Sequence, residues 1–302
     1  MGNKRYPIHQ SPLFKLPTRR RLAELLRVSE SDLSELQSNE HFRVFDDNGR
    51  EIQEPVHRLR KVHDRLQFFF SRLQPPEYLH SGVKGRSAIS NAHIHVSCSY
   101  LIKSDITGFF SHSRKHDVRN MFLRGFQCPP DVSHILAELI CYKEIVPTGS
   151  PLSQSVAFWS HKKMFDQIRD VSVENSATFS LYVDDMIISS NTLIDLGLVA
   201  QLKNVLQKHG FSIKNRKTKK YGKNNYKVVT GCVISPNNRL LVKNEHKKKA
   251  ITLLHDPART MSLLGTISYC CAIEEGFLSS TETRLRRQLA NASRKATAQN
   301  ST

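Results

Sequence analysis

LYVDDMII, residues 181–188, is the stretch of this sequence that decides the fold. Strand-forming apolar residues flank two adjacent carboxylates, Asp184 and Asp185, a pattern that predicts a β-hairpin with the acidic pair at its tight turn. Asp is also a common turn residue, and an acidic pair between two strands is more often a purely structural turn. The pair alone leaves both readings open.

A third carboxylate, Asp105, follows a short strand-like run at residues 100–104. An acid at the end of a strand lies at the rim of a sheet, so Asp105 can meet Asp184 and Asp185 if the strands share one sheet. Three carboxylates repel one another, and the arrangement is favourable mainly when cations neutralise it. Hard oxygen ligands suit Mg²⁺, and two such ions about 3.5–4 Å apart clamp the attacking and leaving oxygens of a phosphoryl transfer. The three acids therefore predict nucleotide-polymerising chemistry.

The composition restricts the partners of the chain. Its 302 residues are enough for a large core and two or three subdomains. Lys and Arg number 45 against 27 acids, a net charge of +18 that makes nucleic acid the first candidate partner. An inert basic surface or an anionic membrane would give the same charge.

No apolar run is long enough to span a bilayer. The six cysteines form no Cys-x-x-Cys pair, so we expect reduced thiols in a cytoplasmic protein.

The order of predicted elements is that of an α+β fold. A strand ending at Asp105 is followed by helices, the acidic hairpin, another helix and a further strand. The other predicted elements are a capping box at 29–32, a hairpin over 41–54, helices over 56–73 and 132–142, a helix with Ser150 as N-cap that continues through 168, a capping box at 192–195, a helix ended by Gly210, a short strand at 211–213, a hairpin of 226–234 with 239–242, and helices over 261–272 and 281–292.

Four ordered motifs in this chain resemble those of reverse transcriptases. They are Asp105 with Phe109 and Phe110, the turn from Pro147 to Pro151, the acidic hairpin, and the segment 210–217. The resemblance covers about residues 42–280. Two further signatures are similar to those that mark bacterial retron enzymes, Asn91-Ala92-x-x-His95 and Val229-Thr230-Gly231.

The resemblance implies a role for each matching residue. It implies two Mg²⁺ ions held by Asp105, Ile106, Asp184 and Asp185, of which the three aspartates are catalytic. Phe110 matches the bulky position that excludes a ribose 2′-OH. The implied nucleotide-binding residues are Arg50, Phe109, Phe110, Pro147, Thr148, Gly149 and Lys217. The implied RNA and family-signature residues are Asn91, Ala92, His95, Val229, Thr230 and Gly231. Two positions depart from the family pattern: Thr148 stands where glutamine is common, and Val183 where many retron enzymes carry Ala.

The same resemblance implies a right-hand polymerase with fingers, an antiparallel palm sheet carrying the acidic hairpin, and a helical thumb. The expected boundaries are 1–95 for the N-terminal helices and fingers, 96–238 for the palm with a fingers-side insertion near 111–146, and 239–302 for the thumb and a disordered tail. The implied reaction is RNA-templated DNA synthesis from deoxynucleotides on a structured non-coding RNA that serves as template and primer. The implied product is a branched RNA–DNA hybrid (msDNA), and the implied setting is anti-phage defence with an effector protein and no membrane.

Two alternatives stay open from the sequence. One is another bacterial reverse transcriptase, of abortive-infection or intron type. The other is a structured-RNA-binding scaffold whose polymerase site is idle.

Overall fold

The structure, a computed structural model, describes residues 5–213, 218–256 and 259–287. Its helices are α1 (Arg19–Leu26), α2 (Glu30–Glu35), α3 (His57–Phe70), α4 (Ala88–His93), α5 (Phe109–His112), α6 (Lys115–Asn120), α7 (Pro130–Ile140), α8 (Ser153–Ser160), α9 (Lys162–Glu174), α10 (Leu196–Lys208), α11 (Asn244–Leu254) and α12 (Thr260–Cys271). The strands are β1 (Phe42–Asp47), β2 (Arg50–Pro55), β3 (Tyr100–Asp105), β4 (Thr178–Tyr182), β5 (Asp185–Ser190), β6 (Lys219–Tyr221), β7 (Lys227–Val229), β8 (Cys232–Ile234) and β9 (Leu240–Val242). Short 3₁₀ turns cover Ile8–Gln10 and Asn39–His41, a π-helical turn covers Met121–Gly125, and residues 279–287 are helical.

An antiparallel sheet of order β4-β5-β3-β6 forms the centre of the molecule. Strand β3 lies between β5 and β6, and its last residue, Asp105, is the register partner of Asp185. Because side chains alternate between the faces of a strand, Lys103 and Asp105 share one face. Ile102 and Ser104 share the other, which faces α9 and α10. The sheet thus presents its acidic strand ends on a single side.

Two smaller sheets accompany the central one. Strands β1 and β2 form the predicted hairpin over 41–54, in register from Phe42 opposite Pro55 to Asp47 opposite Arg50. Strands β7, β8 and β9 form an antiparallel three-stranded sheet. The continuous strand predicted over 226–234 is wrong, because Thr230 and Gly231 both take positive φ angles (+43° and +93°) and turn the chain between β7 and β8.

The buried side chains form separate clusters. One joins the helices before residue 73 with those between 118 and 156. Another packs α8, α9 and α10 against one face of the central sheet. A third lies between α4, the central sheet and β7–β8, and a fourth holds α11 and α12 together. The segment near 111–146 therefore shares a core with the N-terminal helices, although strand β3 of the central sheet lies between the two in sequence.

The helix predicted to run from residue 150 through 168 is wrong, because the chain breaks at His161. This residue ends α8 and begins α9. Its buried ring packs against Phe211, with centroids 4.7 Å apart, and its Nε2 lies 3.1 Å from Ser113 Oγ. These contacts come from residues distant in sequence, so local capping preferences did not reveal the break.

Three smaller expectations also fail. Ser150 is not the N-cap of α8, which begins after Leu152; its hydroxyl instead lies 2.6 Å from His63 Nδ1. Asp195, not Thr192, caps α10, by accepting a hydrogen bond from Leu198 N–H at 2.8 Å. The predicted strand at 211–213 forms only an isolated bridge between Ile213 and Ile106. The expected disorder from Ser293 lies outside the described residues.

The six cysteines are all free thiols, as expected, and five are buried. Among the described residues, no helix combines the length and the apolar composition that a bilayer crossing requires.

Four buried histidines make the fold sensitive to acid. Burial lowers the pKa of His63, His80 and His161 to about 4 and that of His95 to about 3. In the unfolded chain these imidazoles take up protons near pH 6.5, whereas in the folded chain they stay neutral to about pH 4. The unfolded state therefore binds more protons in this window, and stability falls as the pH falls.

We predict that the free energy of unfolding, measured by urea titration, is greatest near pH 7 to 8 and decreases by several kcal/mol in total between pH 6.5 and 4.5 (about 1.4 kcal/mol per pKa unit and site). His63→Gln should be less stable at pH 7.5 but should lose less stability on acidification. A profile flat from pH 7 to 4.5 would contradict this account.

Candidate active site

A cavity of about 980 Å³ opens over the acidic end of the central sheet. It is lined by the ends of β3 and β5, the turn between β4 and β5, the tip of the β1–β2 hairpin, α5, β6 and the start of α11. The lining residues that carry charge are Arg50, Glu51, Lys103, Asp105, Asp184, Asp185, Lys219 and Lys243. The site therefore combines a cluster of carboxylates with surrounding cations, an arrangement suited to an anionic ligand that brings its own metal ions.

Backbone pairing holds the three aspartates at this edge. Asp105 and Asp185 are opposed across β3 and β5, and the N–H of Ile106 donates to the carbonyl of Asp184 at 3.1 Å. Asp105 is 7% exposed, whereas Asp184 and Asp185 are half-buried. This hydrogen bond joins the end of β3 to the start of β5 one residue beyond their regular pairing. All three aspartates line the same cavity.

The turn that carries the acidic pair is strained. Tyr182 pairs with Asp185, so Val183 and Asp184 are the two central residues, and only Val183 has a positive φ (+59°). This sign pattern is that of a type II′ turn, whose first central position favours Gly, and a β-branched residue there costs about 1–3 kcal/mol. The N–H of Val183 donates to Ser81 Oγ at 2.7 Å, so the segment beside β4 helps to hold the conformation.

Lys103 supplies a cation inside the carboxylate cluster. Its ammonium group lies 2.7 Å from Asp185 Oδ2, in a pair whose side chains are each about one-quarter exposed. The ion pair offsets part of the repulsion that three neighbouring carboxylates would otherwise create. Sequence reasoning missed Lys103, although its position two residues before Asp105 on one strand puts both side chains on the same face.

The donor set fits a divalent metal ion that arrives with phosphates. Carboxylate oxygens are the ligands that Mg²⁺ prefers, and in such sites one or two carboxylates act together with substrate phosphates and water. Within the described ranges, no three Asp, Glu, His or Cys side chains are gathered into a ready-made metal cage. The acids therefore offer part of a coordination shell that a phosphate ligand would complete.

The turn at residues 147–149 is fastened to the β1–β2 hairpin. Thr148 N–H donates to Gln53 Oε1 at 3.1 Å, its hydroxyl donates to Glu51 O at 3.2 Å, and Gly149 N–H donates to Gln53 O at 3.1 Å. A Cβ on Gly149 would lie 2.8 Å from Gln53 O, so only glycine permits this approach. Gln53, which sequence reasoning missed, therefore aligns the hairpin that carries Arg50. Pro147 also belongs to this turn, and its carbonyl accepts a hydrogen bond from Ser153 Oγ.

The two phenylalanines after Asp105 lie in different environments. Phe109 is buried and packs against Phe165, Phe211 and His161, so it chiefly supports the floor of the site. Phe110 is half-buried and lines the cavity. Arg50, an exposed residue at the tip of the β1–β2 hairpin, also lines it. Lys217 lies outside the described residues, and Lys219, two positions further on, lines the cavity.

The two short signatures, residues 91–95 and 229–231, contact each other. Asn91 Nδ2 donates to Thr230 Oγ1 at 3.3 Å, and the Thr230 hydroxyl donates to Ala88 O at 2.9 Å. His95 lies 2.7 Å from both Ser180 Oγ of β4 and Ser189 Oγ of β5. A Cβ on Gly231 would lie 3.1 Å from Tyr269 Oη of α12.

The side chains of Asn91, Ala92, His95 and Val229 are fully buried, so in this structure they join α4, the acidic hairpin and β7–β8. Half-buried Thr230 and Gly231 are the signature residues that retain exposed surface.

Comparison with known families gives one match over most of the chain. The family model described as "Reverse transcriptase (RNA-dependent DNA polymerase)" matches residues 36–254. This range contains the acidic hairpin, Asp105, the turn at 147–149 and both signatures.

Three curated relatives are retron enzymes. The Retron Se72 reverse transcriptase of Salmonella heidelberg (strain 579083-10) is 31% identical over 166 residues, which are 53% of this chain and 42% of that protein. The Escherichia coli Retron Ec86 reverse transcriptase is 23% identical over 57% of this chain and 54% of that protein. The Escherichia coli Retron Ec83 reverse transcriptase is 24% identical over 66% of this chain and 70% of that protein. The chain thus spans about half the length of the first two relatives.

Among solved structures, apo telomerase from Candida tropicalis, truncated from its C-terminal domain, is similar with a TM-score of 0.48 and 11% identity over 72% of this chain and 61% of that one.

We predict that Lys103→Met increases the affinity for Mn²⁺ in the absence of nucleotide by about fivefold, since removing a half-buried ion pair worth about 1 kcal/mol leaves Asp185 available to the metal. Electron paramagnetic resonance of free Mn²⁺ measures this without any activity assay. Lys219→Met, which removes a cation from the same cavity without removing this ion pair, is the matched control. Equal affinities in the Lys103 variant and the parent chain would contradict the assignment.

Proposed function

This chain belongs to the reverse transcriptase (RNA-dependent DNA polymerase) family, and from that premise we propose that it is a retron-type enzyme that copies an RNA template into DNA. The family match over residues 36–254 and the similarity to three retron reverse transcriptases support the proposal. The observation that carries it is the pairing of β3 with β5, which brings Asp105 opposite Asp185 in a cavity rimmed by cations.

The proposed substrates are deoxynucleoside triphosphates. Arg50, Lys219 and Lys243 line the cavity with the three aspartates, and an anionic triphosphate fits between such cations. Phe110 would contact the sugar and exclude a 2′-OH, while Thr148 and Gly149, held against Gln53, would shape the base and template side. Phe109 supports Phe110 from the core. Pro147 and Lys217 complete the proposed nucleotide-binding set.

The proposed metal ligands are Asp105, Asp184, Asp185 and the backbone of Ile106, and the proposed ions are two Mg²⁺. When bound, the metal ions supply Lewis-acid stabilisation of the attacking and leaving oxygens of the transfer. The chain itself keeps the carboxylates at one edge through the β3–β5 ladder, and Lys103 keeps Asp185 oriented. The cations around the cavity position the triphosphate and favour departure of pyrophosphate.

The proposed division is into N-terminal helices and fingers over 1–95, palm over 96–238 with the fingers-side insertion near 111–146, and thumb from 239. The core shared by the helices before 73 and after 118 supports a fingers-side insertion. Strand β9 pairs with β8, so the helices of the proposed thumb begin at Asn244. The net charge of +18 suits a structured RNA that serves as template and primer, and an RNA–DNA hybrid product.

The proposed biological product is a branched RNA–DNA molecule made in the cytoplasm from a cognate non-coding RNA, with an effector protein, in anti-phage defence. The protein purified from its native host should carry such a molecule, and sequencing of the co-purified nucleic acid tests this. A covalently branched product supports the retron type, untemplated DNA indicates the abortive-infection type, and RNA without any DNA indicates an idle scaffold.

We predict that Asp184→Asn lowers the rate of primer extension by at least about a hundredfold, because the removed charge would act on the transition state. RNA affinity, measured by filter binding, should change by less than twofold. Asp170→Asn changes an exposed carboxylate of α9 that does not line the cavity; it is the control and should keep full activity. DNA synthesis by the Asp184 variant at the parental rate would refute the metal-ligand role.

We predict that Phe110→Ala raises ribonucleotide incorporation relative to deoxynucleotide incorporation by about tenfold or more, because the cavity then has room for a 2′-OH. Single-nucleotide extension with each substrate gives the ratio. Phe45→Ala removes an exposed ring from β1 and serves as the matched control. An unchanged ratio in the Phe110 variant would exclude Phe110 from the selection of the sugar.

A further inference from the structure

A groove of about 530 Å³ lies on the outer side of α3, against the end of α1. We call it the α3 groove and define it by Arg27, Arg58, Lys61, Arg65 and Phe68. Val28, Asp32 and Asp64 also line it. The opposite side of α3, with Leu59, Leu66 and Phe70 among its residues, is buried in the core. The α3 groove and the active-site cavity have no lining residue in common.

The charges of the α3 groove are unbalanced. Arg58 is paired with Asp32 and Glu35 of α2, and Asp64 is paired with Arg60. Arg27 and Lys61 are exposed, and no ion pair is recorded for either within the described part of the chain. Burial, and secondarily the charge of Arg27, lowers the pKa of Arg65. The two carboxylates of the groove, Asp32 and Asp64, are thus already paired with arginines. Arg27, Lys61 and Arg65 leave a surplus of positive charge that an anionic ligand would offset.

Planar groups lie beside these charges. The ring of Phe68 is 36% exposed, and the guanidinium groups of Arg65 and Arg72 each lie 5.4 Å from its centroid. The Arg65 guanidinium also lies 4.6 Å from the Phe69 ring, and its Nε donates to Leu25 O at 3.1 Å. These contacts hold flat cationic and aromatic surfaces in place. Nucleic-acid bases stack on both kinds of surface.

We propose that the α3 groove binds a single-stranded RNA segment, with an unpaired base stacked on Phe68 and Arg65 and the backbone phosphates at Arg27 and Lys61. A duplex would present phosphates but no free base face, so it would leave Phe68 unused. An acidic peptide would satisfy the cations but would not need a flat ring. The proposal rests on the proposed function only for the source of the RNA. That source would be the template-primer RNA, which is longer than the active-site cavity can hold.

Crosslinking locates the site directly on the full chain. A 12-nucleotide oligoadenylate with one central 4-thiouridine is irradiated with the protein, and the attached peptide is identified by mass spectrometry. The proposal expects a crosslink within residues 57–72. Crosslinks confined to other segments would overturn it. The measurement requires no DNA synthesis. An inactive polymerase could therefore still give the crosslink, and an active polymerase could lack it, so the two proposals are tested independently.

Charge reversal tests the phosphate contacts. Arg27→Glu with Lys61→Glu is compared with Lys163→Glu with Lys208→Glu, which makes the same charge change at exposed positions of α9 and α10. For binding of the oligoadenylate, the groove variant should lower the slope of log K against log salt by about 1.4, since each single-strand phosphate contact contributes about 0.7. The control should change the slope by much less. Equal slopes in the two variants would overturn the phosphate assignment.

Ring substitutions test stacking. Phe68→Leu keeps apolar volume but removes the flat face and should weaken oligoadenylate binding about tenfold, because one stacked base contributes about 1–3 kcal/mol. Phe68→Trp should restore it. A 12-bp RNA duplex should bind the parent and the Leu variant equally. If Phe68→Leu leaves oligoadenylate binding unchanged and a 12-residue oligoglutamate binds the parent more tightly than the RNA does, the groove is a protein-docking site and the RNA proposal is wrong.

Discussion

The antiparallel ladder between β3 and β5 is the constraint on which the rest of this structure depends. It places Asp105 opposite Asp185 although Asp185 lies 80 positions further along the chain. A slip of one residue would turn Asp105 and Lys103 to the other face of the sheet, against α9 and α10, because strand side chains alternate with period two. The buried residues on that other face, including Ile102 and Ser104, fix the register, so packing on one side of the sheet determines the chemistry on the other.

The site that results is held in an unfavourable conformation by its surroundings. Val183 occupies a backbone region that suits glycine, and Ser81 accepts its N–H. Three carboxylates share one edge, and Lys103 offsets part of their repulsion. The same lysine would have to yield Asp185 to an arriving cation, so the folded chain already contains a competitor for its proposed metal. The negative charge of the acidic hairpin is therefore partly balanced by a lysine from a different strand, β3.

Support for the site comes from side chains that do not reach the cavity. His95 ties α4 to β4 and β5 through two serines, and Asn91 ties α4 to the turn between β7 and β8. That turn touches α12 at Gly231. The two signatures therefore connect the strands of the acidic hairpin with α12. A displacement of the hairpin strands would displace α12 through these contacts, and the reverse also holds. Burial keeps His95 neutral, which preserves its contacts down to low pH.

By itself the sequence determined the acidic hairpin, the strand before Asp105 and the β1–β2 hairpin, because local periodicity and turn chemistry specify these elements. The family followed from the resemblance of four ordered motifs to those of reverse transcriptases. It also determined the candidate residues Asp105, Asp184 and Asp185 through their order. Only the tertiary structure decided the break at His161, the ion pair of Lys103, the anchoring of the turn at Thr148 by Gln53, and the burial of the two signatures. Each of these depends on contacts between residues far apart along the chain, and neither composition nor periodicity carries information about such contacts.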